Sequence, residues 1–139
     1  MQIILSTDTN PNPSDDQRLR EAIVSFNMQT LGERADHFSI FLRDEHSTIH
    51  GGATIWVHTE SIYVDVLWVA DELRGQGYGT QIMLAAEAEA IKRGCKYSTV
   101  DTYSFQAKDF YLKLGYAQIG EIQNYLFEHA KIFLRKILR

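Results

Sequence analysis

Hydrophobic and polar positions along the chain change rhythm near its middle. Gln2–Ser6 is a short apolar run and reads as a strand. Thr7–Pro13 carries Asn and both prolines and reads as a turn. Ser14 with Gln17 has the form of a capping box, which predicts a helix start there. Leu19, Ile23 and Phe26 then fall on one helical face, and Gly32 ends this helix or a second short one. Phe38–Arg43, Ile49–Val57 and Ile62–Val69 predict three strands joined by Asp44–Ser47 and His58–Ser61. Gly51 and Gly52 within the second strand predict a bulge or a close backbone approach.

After Val69 the order becomes strand–helix–strand. Thr80–Arg93 predicts a helix with Met83, Ala86 and Ala90 on one face and Gly94 as its stop. Tyr97–Thr102 predicts a strand, Gln106–Leu114 a short helix closed by Gly115, and Ala117–Ile122 another strand. Gln123–Glu128 reads as a connection. Ala130–Ile137 reads as a final strand, with Ile132, Leu134 and Lys136 alternating against Phe133, Arg135 and Ile137. The expected fold is therefore one α/β (α+β) domain over residues 1–139, antiparallel in its N-terminal half and βαβ in its C-terminal half.

The segment Arg74-Gly75-Gln76-Gly77-Tyr78-Gly79 stands where the strand gives way to the helix. A helix N-terminus has unpaired N–H groups and the positive end of the macrodipole, and glycines let that backbone approach a phosphate. A phosphate-binding loop competes here with a plain tight turn. A Walker loop needs a Gly-Lys-Ser/Thr ending, whereas Gly79 is followed by Thr80 and Gln81. The Rossmann fingerprint needs its third glycine one residue later and a place in the first βα unit.

The stretch Leu67-Trp68-Val69-Ala70-Asp71-Glu72-Leu73-Arg74-Gly75-Gln76-Gly77-Tyr78-Gly79 resembles the cofactor motif of the GNAT superfamily of N-acetyltransferases. Ala107-Lys108-Asp109-Phe110-Tyr111-Leu112-Lys113-Leu114-Gly115-Tyr116 is similar to a second block of that family. The resemblance is specific from about Ile62 to Gly120 and weaker outside. It implies a mixed sheet whose central strands, Ile62–Val69 and Tyr97–Thr102, splay apart. It also implies acetyl-CoA as cofactor, with Leu67, Trp68 and Val69 meeting pantetheine through their backbones. Arg74, Gly75, Gln76, Gly77, Tyr78, Gly79 and Thr80 would cradle the pyrophosphate. Ser104 stands where many members have Asn, which makes a cofactor contact there weaker.

The resemblance further implies direct attack of an amine in a ternary complex. Tyr111 matches the tyrosine that protonates the leaving thiolate, with Phe110 beside it in a packing role, and the Val69 N–H is the implied oxyanion donor. The family's glutamate base aligns with Tyr63, which is no obvious base. Asp65, two residues on, is expected on the same face unless a bulge intervenes, and burial there would raise its pKa. It would serve as base or amine anchor, or merely as a structural carboxylate. Asp101 is a second candidate, and deprotonation through water a third. His129 reads as a proton relay or a surface side chain. Trp56, Tyr63 and Tyr125 read as acceptor-pocket walls or as core aromatics.

Composition narrows this picture. The chain has 139 residues, 45% hydrophobic and 12% aromatic, which suits one globular core. A formal net charge of -4 without a basic run argues against nucleic acid and, in a general way, favours cationic amines. It also supplies no cationic pocket for a succinyl donor, so acetyl is favoured. No apolar run reaches the roughly 20 residues of a membrane span, and the N-terminus lacks a signal-peptide pattern, so a cytoplasmic place is expected. Cys95 is the single cysteine and reads as a buried thiol. The five histidines lack metal-ligand spacing. The expectation is an acetyl-CoA-dependent N-acetyltransferase acting on a small-molecule amine. The alternatives are a non-catalytic acyl-CoA-binding or regulatory module, and a protein N-terminal or lysine acetyltransferase. Acceptor loops are expected in Leu31–Phe38, His58–Ser61 and Gln123–His129. The C-terminal strand could pair across a homodimer. The first helical region is short for the family, so elements covering the substrate would be small or come from a partner subunit.

Overall fold

The computed structural model describes all 139 residues, which form two compact units, Met1–Arg34 and Ala35–Arg139. No helix is long and apolar enough to cross a membrane.

The first unit is an extended segment followed by helix α1, Pro13–Leu31. Gln2–Ser6 forms no strand: it has no ladder partner, and Ile3, Ile4 and Leu5 are exposed. The helix is capped by Asn12 rather than by Ser14. The Asn12 side chain accepts from the Ser14 N–H at 3.0 Å and from Ser14 Oγ at 2.9 Å. Pro13 then occupies the first turn, where a missing N–H costs nothing. Gln17 reaches forward to Glu21 at 3.1 Å, so no capping box closes. Gly32 is the left-handed stop, its N–H bonded to Met28 O at 2.9 Å.

The second unit is a six-stranded mixed sheet with two helices. Its strands are β1 Asp36–Arg43, β2 Ile49–His58, β3 Ser61–Val69, β4 Tyr97–Tyr103, β5 Ala117–Leu126 and β6 His129–Ile137, in the order β1-β2-β3-β4-β6-β5. Only β3 and β4 pair in parallel, through the crossover helix α2, Tyr78–Lys92. Helix α3, Lys108–Lys113, lies between β4 and β5. The core gathers Ile55, Ile62, Val100 and Leu134 from the sheet and Ile82, Met83, Ala86 and Ala90 from α2. The alternation read for β6 holds, with Ile132 and Leu134 buried. Cys95 is buried too.

Gly51 and Gly52 mark a close backbone approach. A Cβ at Gly51 would sit 2.8 Å from Trp68 O, and one at Gly52 would run into Ile40 O. A bulge lies beside them in β2, where Leu42 pairs with Gly51 and Arg43 with Ile49, leaving His50 as the extra residue. A second bulge lies one strand over. Ile55 pairs with Val64 and Thr54 with Val66, leaving Asp65 as the extra residue. This extra residue moves the core-facing positions of β3 from even to odd numbers. Ile62 and Val64 point into the core before it, and Leu67 and Val69 pack against the core after it.

The connection expected over Gln123–Glu128 is shorter than that. β5 kinks at Asn124, which has φ +53, and regains its register at Leu126, opposite His129. Antiparallel pairing with β6 thus carries the strand through residues that look turn-like in sequence. Only Phe127 and Glu128 make the turn.

Candidate active site

The site arises where two parallel strands stop pairing. The β3–β4 ladder ends at Val64 and Val100, yet β3 runs on to Val69 and β4 to Tyr103. The expected splay is therefore present. Between the diverging ends lies a cleft of about 1020 Å³.

One end of the cleft is the start of α2. Gly75 and Gly77 adopt left-handed φ of +74 and +87, which glycine reaches without a Cβ penalty. No side chain caps this helix and its first turn holds no acidic residue. Its first intrahelical bond across the cap runs from Gln81 N to Gly77 O, so the N–H groups before it have no partner within the helix. Gly75, Gly77, Tyr78, Gly79 and Thr80 all line the cleft. Gly79 is held close to α3, since a Cβ there would lie 3.3 Å from the Phe110 ring. Arg74 also lines the cleft, with its Nε donating to Val69 O at 2.9 Å and its Nη1 2.9 Å from Asp71 Oδ1. Gln76 is not part of the lining. Its amide turns back to Glu72 O at 3.1 Å.

The middle of the cleft is the free stretch of β3, with Leu67, Trp68 and Val69 in the lining. Ser104 lies outside it. Its Oγ accepts from Ala130 N at 3.0 Å, so the hydroxyl ties β4 to β6 instead.

The far end brings titratable groups together. Tyr111 is buried on α3 and reaches the cleft wall. Burial, and then the nearby Asp101 charge, push its phenol above the usual tyrosine value. The Tyr63 hydroxyl crosses the splay and donates to Asp101 Oδ2 at 2.6 Å. Burial foremost, and then this carboxylate, raise Tyr63 strongly, so it stays protonated and keeps donating. Asp65 lines the cleft as well, but it is the bulged residue and is exposed. The burial expected for it is absent, while it shares the cleft with Tyr63, whose phenol feels its charge. Of the other aromatics weighed, Trp56 and Tyr125 are outside the lining, stacked on His58 and Tyr103 respectively. His129 packs edge-on to Phe105 and lies 3.4 Å from Glu128.

Two features were not legible in the sequence. Gln106 lines the cleft and accepts from Thr102 Oγ1 and Tyr103 N, both at 3.0 Å, which fixes the exit of β4. Behind the cleft, Glu87 is buried on α2 and accepts from Lys136 Nζ at 2.7 Å and from the Tyr116 hydroxyl at 3.1 Å. Tyr116 shares a 2.7 Å hydrogen bond with Ser98 Oγ and packs edge-on to Tyr111, 5.9 Å between centroids. Burial foremost raises the Tyr116 phenol strongly. The only sequence signal was a charged residue, Glu87, on the otherwise apolar face of α2.

This architecture is that of an acyl-transferring α/β enzyme, with a cleft between splayed strands. The model of the Acetyltransferase (GNAT) family matches residues 2–116, and the chain belongs to that family. An acetyltransferase of Agrobacterium fabrum is 30% identical over 108 residues, 77% of this chain and 79% of that protein. The blasticidin-S acetyltransferase of Streptomyces morookaense is 35% identical over 89 residues, 63% of this chain and 65% of that protein. The crystal structure of an acetyltransferase from Bacillus cereus superposes with a TM-score of 0.82 at 28% identity, covering 96% of this chain and 98% of that one. The protein is thus an acyltransferase, and the cofactor of its family is acetyl-CoA. The residues present fit that group. The uncapped, acid-free start of α2 suits an anion, and the unpaired ends of β3 and β4 offer a strand-like partner to an amide-bearing arm.

Proposed function

We propose that this chain transfers an acetyl group from acetyl-CoA to a primary amine of a small molecule, with residues 1–139 forming one acetyltransferase domain. The observation that carries the reading is the cleft itself, which joins an anion-binding helix start to a buried phenol and a carboxylate. The similarity to a blasticidin-S acetyltransferase supports a small-molecule acceptor over a protein one.

The roles follow from position. The α2 start with Arg74 holds the pyrophosphate, and the free edge of β3 over Leu67–Val69 holds the pantetheine arm. Val69 O is already bonded to Arg74, so its N–H is the group left to polarise a carbonyl. When bound, the cofactor supplies an activated acetyl thioester whose thiol must leave. Tyr111 delivers a proton at that point, and its raised pKa keeps the proton available. Asp65 stands at the open side of the cleft, where it attracts a cationic acceptor.

Two experiments test this. Thermal shift should show stabilisation by CoA and acetyl-CoA and none by ATP or NAD. Thiol release should then be followed across an amine panel that includes blasticidin S. Tyr111→Phe should lower kcat by about 100-fold or more while CoA affinity persists. Unchanged turnover would remove Tyr111 from the mechanism. Absence of any CoA effect would remove the reading altogether.

A further inference from the structure

The cleft holds two carboxylates, and their surroundings differ. Asp65 is exposed on a bulge, and no hydrogen bond or ion pair holds its side chain in one direction. Asp101 is half-buried on β4, one residue beyond the last β3–β4 pair. Its Oδ2 is held at 2.6 Å by a phenol that stays protonated, which fixes the carboxylate plane. Its charge is felt by Tyr111, the proton donor of the proposed reaction. None of the ion pairs in the structure uses Asp101. Lys131 lines the same cleft, but its ammonium lies over the Tyr125 and Phe133 rings, 4.8 and 5.6 Å from their centroids. A carboxylate offers about four acceptor positions, so Oδ1 remains to receive a donor.

Resting on the function proposed above, we infer that Asp101 is the residue that receives the reacting ammonium of the acceptor and takes its proton, with Tyr63 as its positioning residue. The proton passes from the acceptor nitrogen to Oδ1. One N–H bond breaks, one O–H bond forms, and the nitrogen keeps the electron pair with which it attacks. The acid then returns the proton to water. Tyr63, at the position of the glutamate base implied by the family resemblance, thereby acts through a neighbour on β4. Asp65 is left as an outer attraction for positive charge.

The test needs no known acceptor. Methylammonium chloride is titrated into carboxylate-labelled protein, with and without CoA, against sodium chloride at equal ionic strength. The 13Cγ resonances are assigned by Asp101→Asn and Asp65→Asn. A saturable shift of the Asp101 resonance with methylammonium alone, weakened severalfold in Tyr63→Phe, is the expected result. No shift at Asp101, or a shift at Asp65 alone, would overturn the inference. With any amine that the wild type acetylates, Asp101→Asn should lose about 100-fold or more in kcat/KM and Asp65→Asn less than tenfold. The reverse order would also overturn it. Thermal shift with CoA, unchanged in both variants, separates this outcome from failure of the cofactor reading, in which the wild type itself would not respond.

Discussion

Gly77→Glu should separate folding from cofactor binding in one step. Gly77 is the N-cap of α2 at φ +87, and a Cβ placed there meets nothing within 4 Å. The first added carbon therefore causes no clash. The folding cost of the substitution is the left-handed backbone, roughly 1–2 kcal/mol for a non-glycine residue. A carboxylate at a helix start returns about 0.3–1 kcal/mol through the macrodipole. The net is about 1 kcal/mol, which for a chain of this size lowers Tm by about 4 °C. Binding responds on another scale. A fixed negative charge roughly 4 Å from a phosphate costs about 4 kcal/mol at an effective dielectric constant of 20. Even half of that weakens binding by more than tenfold, and the whole by about 1000-fold. Calorimetric titration of CoA, with Gly77→Ala as the uncharged control, reads the difference. Gly77→Ala should keep CoA affinity within about tenfold, because it carries the backbone cost without the charge. If the folded Glu variant binds CoA as tightly as the Ala variant, no phosphate sits at this helix start and the reasoning fails.

Further outcomes follow from the rest of the structure. Lys136→Met should cost about 2–3 kcal/mol, below the usual range for breaking a fully buried pair because the Lys136 side chain is 22% exposed while Glu87 is 8%. Adding Glu87→Gln should restore part of that loss in urea denaturation. A double variant whose loss equals the sum of the Lys136→Met and Glu87→Gln losses would show that Glu87 and Lys136 are not coupled. Gly52→Ala should cost about 3 kcal/mol or abolish folding, because the new methyl meets the Ile40 carbonyl of β1. An unchanged denaturation midpoint would contradict the close approach of β1 and β2. Because Tyr111 must be protonated to act and its pKa is raised, the alkaline loss of kcat should fall above pH 10. An alkaline limb below that, absent from Tyr111→Phe, would contradict the burial seen here.

Most strands and helices could be read from period alone. The α2 face of Met83, Ala86 and Ala90 repeats at helical spacing, and β6 alternates Ile132 and Leu134 against Phe133 and Arg135. What failed was anything decided by a distant partner. Gln2–Ser6 has strand composition but no ladder to join. Gln123–Leu126 looks like a loop until β6 pairs with it. Asn12 outcompetes Ser14 as cap because Pro13 is already set for the first helical turn, a local clue hidden by counting both prolines as turn residues. The glycine turn before α2 was legible because its conformation depends on neighbours in sequence. Asp65 was expected to be buried among its apolar neighbours, but it is the extra residue of a bulge and stays exposed, which one chain's pattern does not reveal.

That bulge ties the fold to the chemistry. β3 must bury Ile62 and Val64 while it pairs with β4, then present its edge to the cleft while Leu67 and Val69 still cover the core. A regular strand keeps one face throughout. One inserted residue moves the core-facing positions from even to odd numbers and adds local twist, just past the point where the β3–β4 pairing ends. Tyr63 and Asp101 flank that point from either strand, and their 2.6 Å hydrogen bond bridges the two strands where the ladder stops. Restoring a regular register by deleting Asp65 should therefore do more than remove one carboxylate. Leu67 would keep its place opposite Ala53 on the core side, but the local twist that the bulge adds would be lost and the cleft disturbed, so CoA stabilisation should fall along with activity. Asp65→Asn, which keeps the bulge, should leave CoA stabilisation intact. If the deletion behaves like Asp65→Asn in thermal shift with CoA, the splay does not depend on the bulge.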